Sequence, residues 1–144
     1  MTIEKRQLSE QNDNFIMLPT VDFCFKELMQ NKEVRKGILS ALLGKNPEEL
    51  EDTELLPTIL QPEYQDEKLG ILDVRVLFAD GTQTDLEMQV VQFDFWPNRV
   101  LFYLGKMYTG QIKRGEPYEK LKKCIHVSIS QRMIDVSVRL HFVM

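Results

Sequence analysis

Two neighbouring segments, residues 71–78 and 82–91, alternate polar and apolar side chains with a period of two, which predicts two β-strands. Their polar positions on one face are Asp73, Arg75, Asp85, Glu87 and Gln89. Mg²⁺ in proteins is held by one or two carboxylates, and water and substrate phosphate complete its coordination shell. The chemistry that these residues suggest is therefore binding of a divalent metal ion on one face of a β-hairpin.

The loop between the two strands determines which residues lie opposite each other. Residues 79–81 form a three-residue loop in which Gly81 takes the left-handed conformation, and this loop pairs Phe78 with Thr82. A two-residue loop would mix apolar and polar side chains on each face, so the hydrophobic pattern rejects it. The sequence thus predicts one register for the hairpin.

This register places Asp73 directly opposite Glu87, and Arg75 opposite Asp85. Two opposed carboxylates repel each other, and the repulsion destabilises the hairpin unless something compensates for it. Two interpretations remain open on the pattern alone. The face is either a solvated polar surface, where the repulsion is small, or a divalent-metal site.

The elements around the hairpin are predicted from helical spacing, turn residues and caps. Helices are expected over residues 20–29, 33–43 (ended by Gly44), a short stretch from Pro47, and 98–113. Further strands are expected at 124–129 and 134–143, with at most an edge strand within 55–64. The order predicts one α/β domain with a sheet flanked by helices.

Length and composition limit the class of protein. The chain has 144 residues, 43% of them hydrophobic, and a net charge of −4, which fits one globular domain and argues against disorder. The apolar runs are far too short for a membrane span, and the polar start contains no signal peptide. With two widely separated cysteines, Cys24 and Cys124, these features predict a cytoplasmic protein with reduced thiols.

The charge is unevenly distributed along the chain. Residues 1–95 carry a net charge of −10 (9 Lys/Arg and 19 Asp/Glu), whereas residues 96–144 carry +6 (9 Lys/Arg and 3 Asp/Glu). A basic cluster in the second part is formed by Lys113, Arg114, Lys120, Lys122 and Lys123. This basic cluster is expected either to contact DNA phosphates or to be an ordinary solvated loop face.

Several short runs follow one another in a fixed order over roughly 110 residues: Leu18-Pro19, Asp22-Phe23, Phe25-Lys26, Ile71-Leu72-Asp73-Val74, Asp80-Gly81, Leu86-Glu87-Met88-Gln89, Arg99 with Tyr103, Lys106-Met107-Tyr108, Gly115-Glu116-Pro117-Tyr118 and Ile125-His126. In their order and spacing these runs resemble the recombination-promoting nuclease and transposase family of the PD-(D/E)XK nuclease superfamily. The resemblance implies a restriction-endonuclease-like mixed sheet flanked by helices, and cleavage of DNA that depends on Mg²⁺ or Mn²⁺. By the resemblance, Asp73 and Glu87 bind the metal, and Asp73, Glu87 and Gln89 are the catalytic residues. Gln89 stands where the superfamily motif usually has Lys.

Because Gln89 carries no charge, the source of positive charge in such a site stays open. Lys26 and Lys106 are candidate substitutes, each with the alternative of being a solvated surface lysine. Asp22 is either a further acidic residue of the site or a first-turn residue favoured by the helix dipole. His126 is expected to be a core histidine with satisfied hydrogen bonds.

The resemblance divides the chain into three parts. Residues 1–16 are expected to be a flexible lead-in, residues 17–130 the nuclease-like domain, and residues 131–144 a tail that is not family-like and adds an edge strand. Family members typically continue further, which suggests either a truncated copy or a minimal version. The alternative to an active endonuclease is a catalytically inactive remnant of the fold that self-associates as a homodimer or binds DNA.

Overall fold

A computed structural model describes residues 22–89, 96–130 and 134–140, with side chains described over 23–88 and 97–129. The helices are α1 (Asp22–Gln30), α2 (Lys32–Leu43) and α3 (Trp96–Thr109), with 3₁₀ turns at Pro47–Leu50 and Tyr118–Lys120. The strands are β1 (Glu54–Leu55), β2 (Ile59–Leu60), β3 (Gly70–Ile71), β4 (Val74–Leu77), β5 (Gln83–Gln89), β6 (Cys124–Ser130) and β7 (Ile134–Leu140). The expected lead-in at residues 1–16 lies outside the described residues.

The local signals in the sequence account for the ends of these elements. Asn31 caps α2 by accepting hydrogen bonds from the backbone N–H of Glu33 and of Val34, and Gly44 ends this helix with a left-handed φ of 62°. Gly81 has a φ of 87° in the hairpin loop, as the predicted register requires. The hairpin then continues in that register, with Val74 opposite Leu86.

The main sheet has five strands in the order β1-β4-β5-β6-β7. Strands β5 and β6 are parallel, and the other pairs are antiparallel, so the sheet is mixed. Helix α3 lies in the connection between β5 and β6, as a parallel pair requires. A second small sheet is formed by β2 and β3. This architecture confirms the predicted restriction-endonuclease-like mixed sheet flanked by helices.

Two hydrophobic cores lie on the two faces of the main sheet. The first is built from α1, α2 and the apolar face of the strands, with Phe25, Met29, Leu39, Leu50, Val74, Val76, Phe78, Leu86, Ile125 and Val127 buried in it. The second is built mainly from α3, with Leu60, Leu72, Val100, Tyr103, Leu104, Met107 and Cys124 buried in it. Cys24 and Cys124 form no disulfide, as predicted.

Two predictions of element boundaries are wrong in detail. The expected strand 71–78 is interrupted after Ile71, because the backbone N–H of Leu72 donates to Thr58 and its side chain joins the second core, away from Val74. Helix α3 ends at Thr109, four residues early. There the side chain of Gln111 donates to the carbonyl of Lys122 and accepts from its N–H, which ties the chain to the approach to β6.

At the other end of the chain, β7 pairs with β6 and lies at the edge of the main sheet. Among the described residues, no helix is long and apolar enough to cross a membrane.

Candidate metal centre

Asp85 and Glu87 lie at alternate positions of β5, the middle strand of the sheet, and their side chains point to the face covered by α3. Because this helix packs over them, Asp85 is 0% exposed and Glu87 is 2% exposed. The interpretation of this face as a solvated polar surface is therefore wrong for both residues. Burying a carboxylate costs several kcal/mol unless it is neutralised, paired or bound to a cation.

His126 enters the same buried group from β6, where it lies opposite Asp85 in the parallel pair. A hydrogen bond of 2.7 Å joins Nδ1 of His126 and Oδ2 of Asp85, and one of 2.8 Å joins Nε2 and the hydroxyl of Ser128. The imidazole is fully buried with both nitrogens bonded, so the prediction of a satisfied core histidine is confirmed. The imidazole holds one oxygen of Asp85 in place.

One oxygen of each carboxylate has no hydrogen-bond partner among the described residues. Within the described part of the chain, Oδ1 of Asp85 and Oε1 of Glu87 are buried and have no hydrogen-bond partner. One ligand atom from each of Asp85, Glu87 and His126 lies within 4.8 Å of the other two. Since buried polar atoms in folded proteins nearly always have a partner, two orphaned carboxylate oxygens in one group point to a missing cation or proton.

The electrostatics of the group point the same way. Burial, reinforced by the nearby charges of Asp85 and Asp73, raises the pKa of Glu87 to about 8, although Arg99 opposes the shift. Burial also raises the pKa of Asp85, against the hydrogen bond from His126. At neutral pH the group therefore holds either protons or a cation in their place.

Asp73 lies one residue before β4, and the hairpin register carries it to the position opposite Glu87. Its Oδ2 accepts a hydrogen bond of 3.0 Å from the backbone N–H of Met88, and its Oδ1 lies 3.8 Å from Nζ of Lys26. The Asp73 side chain is 27% exposed, so it borders solvent where Glu87 does not. Asp73 thus lies beside the buried pair, with Lys26 as a charged neighbour.

The structure does not bring the other candidates into this group. Lys106 forms an ion pair of 2.7 Å with Glu67, a partner that the sequence did not suggest. Arg75 lies opposite Asp85 as predicted, but its guanidinium donates to the side chain of Gln83, the next residue on that face.

Two predicted site residues are described only by their backbone. Gln89 is the last residue of β5 and lies opposite Ser130. Asp22 is the first residue of α1. Their side chains lie outside the described residues, so their assigned roles stay predictions.

The basic cluster is exposed and lies on the loop that leads to β6. Lys120 pairs with Glu116 at 2.8 Å, and the aliphatic stem of Lys122 packs over Gly81 of the hairpin loop. Glu87 lies opposite Ser128, five residues beyond the end of the cluster at Lys123, which is about 15 Å along a strand. The cluster therefore precedes β6, and Asp85 and Glu87 lie opposite positions three and five residues beyond Lys123.

Sequence reasoning missed Arg99 as a functional residue. It lies in the first turn of α3, where its Nε donates a hydrogen bond of 3.1 Å to the hydroxyl of Tyr103 and its Cζ lies 5.2 Å from the ring centroid. Burial lowers the pKa of Arg99, but the Tyr103 bond and the charges of Glu87 and Asp73 outweigh burial and raise it. The only signal in the sequence was the four-residue spacing of Arg99 and Tyr103.

The donor set fits a divalent cation. Carboxylate oxygens are the ligands that Mg²⁺ and Mn²⁺ take in proteins, and Asp85 and Glu87 offer them. The orphaned oxygens of Asp85 and Glu87 would gain a partner from such an ion, and their mutual repulsion would be offset.

Comparison with known proteins agrees with this geometry. No curated protein and no solved structure shows significant similarity to the chain. The model of the PD-(D/E)XK nuclease family transposases, however, matches residues 19–143, which include the tail that we did not recognise as family-like from its sequence. Because this match covers most of the chain and the fold agrees with it, the chain belongs to the PD-(D/E)XK nuclease family of transposases.

Proposed function

We propose that the chain is an endonuclease that hydrolyses phosphodiester bonds in DNA with Mg²⁺ or Mn²⁺ held by Asp73 and Glu87, and with Asp85 beside them. The family supports a nuclease-type activity with DNA as substrate. The observation that carries the proposal is the pair of buried carboxylate oxygens, on Asp85 and Glu87, that no other described residue contacts by a hydrogen bond. An arrangement this costly to bury is expected where a cation compensates for it.

Each residue then has a distinct task. When bound, the ion lowers the pKa of a water and neutralises charge that develops on the phosphate. His126 keeps Asp85 oriented, since an ionised Asp85 makes Nδ1 the donor of their hydrogen bond. Gln89 has no charge to offer and orients water by hydrogen bonding.

The partner is expected to be DNA, approached from the basic second part of the chain. The five exposed residues of the basic cluster would contact phosphates some distance from the cut bond. We place the protein in the cytoplasm, in keeping with its reduced thiols, and connect its activity to recombination or transposition.

A second candidate is a catalytically inactive module that self-associates. Strand β7 lies at the edge of the sheet, where its outer backbone groups are able to pair with the same strand of another copy. A homodimer formed this way would depend on concentration and would not need the carboxylates. Sedimentation of the purified chain, with and without DNA, distinguishes this candidate from a monomeric enzyme.

The test of the nuclease proposal is nicking of supercoiled plasmid DNA by purified protein, with Mg²⁺, with Mn²⁺ and with EDTA. We expect cation-dependent nicking that falls roughly 100-fold or more in Asp73→Asn and in Glu87→Gln. Glu49→Gln, the same change at an exposed position of the 3₁₀ turn, is the matched control and should keep full activity. Equal trace activity in wild type and both site variants would refute the proposal.

A further inference from the structure

The motif residues Asp73, Glu87 and Gln89 supply no positive group that could meet the substrate phosphate. Gln89 is neutral where the superfamily motif usually has Lys, and Lys106 is occupied by Glu67. Lys26 lies 3.8 Å from Asp73, at one side of the group. A charged transition state in a partly buried site needs a positive group close to the phosphate.

Arg99 is the cation that acts on the carboxylates from the α3 side. Arg99 lies in the first turn of α3, the helix that packs over the face of the sheet on which Asp85 and Glu87 are buried. Tyr103 fixes its orientation in two ways, through the hydroxyl that accepts from Nε and through the ring beneath Cζ. A guanidinium held in this way loses little side-chain entropy when an anion binds to it.

Arg99 also lines a cavity of about 470 Å³, together with Lys68, Asn98, Phe102 and Tyr103. This volume lies in the range of small-molecule sites. Two cationic side chains and an amide are groups that bind phosphate oxygens, and the partly exposed ring of Phe102 offers a surface on which a base stacks. The lining thus combines the contacts that one nucleotide of a DNA strand requires.

We propose that this cavity binds a phosphate group of the nucleic-acid substrate, and that Arg99 supplies the positive charge that Gln89 cannot, with Lys68 as a second phosphate contact. The part that concerns the cleaved bond rests on the proposed nuclease function. The binding part does not, because it depends only on the cavity and its two cations. Arg99 would hold the phosphate beside Glu87 and Asp73, and the planar guanidinium would bind two of its oxygens at once.

The binding test uses a short fluorescein-labelled single-stranded DNA, measured by fluorescence anisotropy in EDTA over a range of salt concentrations. Arg99→Gln should weaken binding several-fold and lower the slope of log K against log salt by about 1. Arg99→Lys keeps the charge but loses the paired donors, so its affinity for the oligonucleotide should lie between those of wild type and Arg99→Gln. Lys32→Gln, on the exposed start of α2, is the control for loss of one charge and should match wild type.

Two further variants protect the test against loss of folding. Tyr103→Phe removes only the hydroxyl that holds Nε of Arg99, and it should weaken binding less than Arg99→Gln does. Lys68→Gln changes an exposed lining residue and should lower the salt slope in a folded protein. Unchanged affinity and slope in Arg99→Gln and Lys68→Gln, with wild-type melting temperatures, would overturn the proposal.

The source of the phosphate is tested by competition. Inorganic phosphate and a deoxynucleoside monophosphate are titrated against the bound oligonucleotide. Inorganic phosphate is added at the total concentration of the oligonucleotide's phosphate groups. If it displaces the oligonucleotide without any nucleotide present, the cavity is a site for free anions, and the nucleic-acid subsite is contradicted. Weak competition by phosphate and stronger competition by the nucleotide would support the subsite.

The plasmid assay separates this proposal from the nuclease function. If nicking depends on Asp73 and Glu87 but Arg99→Gln matches wild type in both nicking and binding, the cavity proposal is wrong and the nuclease stands. If wild type never nicks but Arg99→Gln binds DNA more weakly, the nuclease proposal fails and the cavity stands. We expect both effects, with nicking by Arg99→Gln reduced roughly 100-fold.

Discussion

The two faces of strand β5 are both buried, but for opposite energetic reasons. On one face Leu86 packs fully buried against α1 and α2, where removal of apolar surface from water stabilises the fold. On the other face Asp85 and Glu87 are equally buried beneath α3, and each has one oxygen without a hydrogen-bond partner in the described part of the chain. The same strand thus carries one face that accounts for stability and one that costs stability, which is typical of a functional site.

The difference between the faces is largest in free energy of unfolding. Leu86→Ala should destabilise the protein by about 2–5 kcal/mol, because it leaves a cavity in the first core. Glu87→Gln should be close to neutral at pH 7 in EDTA, because it replaces a mostly protonated buried acid with an uncharged amide of similar volume. Urea unfolding of the two variants beside wild type measures both. Equal destabilisation by the two substitutions would contradict the view that burial of Asp85 and Glu87 costs stability.

The second face should also make stability depend on pH. The pKa of Glu87 is about 8 in the folded protein against roughly 4.5 for the free side chain, so the folded state binds more protons between these values. Metal-free protein should therefore lose stability, by a few kcal/mol, as pH rises from about 4.5 to 8, and level off above. Burial of Asp85 adds to the loss with the same sign.

Thermal melts in EDTA across this pH range test the dependence. Glu87→Gln should flatten the curve, and saturating Mn²⁺ should raise stability most at the alkaline end, where the carboxylates are ionised. Melting temperatures of the EDTA-treated wild type that increase steadily from pH 5 to 8 would show the opposite sign and contradict the account.

The hydrogen bond between His126 and Asp85 is expected to have a smaller effect on the free energy of unfolding. In a double-mutant cycle of His126→Asn, Asp85→Asn and the double variant, we expect a coupling of about 1–3 kcal/mol in the free energy of unfolding. His126→Asn should also weaken Mn²⁺ binding, because the free oxygen of Asp85 is no longer oriented. A coupling near zero would mean that the imidazole does not hold the carboxylate.

The smallest effect per residue, on DNA binding, is expected at the basic cluster, on the loop that leads to β6. Neutralising Lys120, Lys122 and Lys123 to Gln should weaken DNA binding mainly at low salt, with each true contact lowering the salt slope by about 1. Cleavage at saturating DNA should stay unchanged, since the cluster lies about 15 Å from Glu87 along the strands. If DNA binding does not depend on these lysines, the basic cluster is a solvated loop face and does not contact DNA.

Much of the fold followed from local rules in the sequence. The loop at Gly81 and the period-two pattern predicted the hairpin register, and Gly44 predicted the end of a helix. These features depend on residues close together in the chain. The break after Ile71 did not follow, because it depends on a hydrogen bond between Leu72 and the distant Thr58.

The candidate site was predictable only in part, for a physical reason. Alternation placed Asp85 and Glu87 on one face, but whether water or a helix covers that face depends on how α3 packs. His126 was recognised as buried, yet its partner Asp85 belongs to a strand 41 residues away in sequence. Arg99 entered only as part of the family resemblance, with Tyr103, and no role followed, because one arginine on an amphipathic helix is ordinary until its neighbours are known.

The central claim is that the buried carboxylates form a divalent-cation site, and calorimetric titration of metal-free protein with Mn²⁺ tests it most directly. We expect saturable binding in wild type and in Glu49→Gln that is lost in Glu87→Gln and weakened in Asp73→Asn. The wild type should also release protons on binding at pH 7, because Glu87 with a pKa of about 8 is then mostly protonated. Binding that is absent in wild type, or unchanged in Glu87→Gln, would contradict the account.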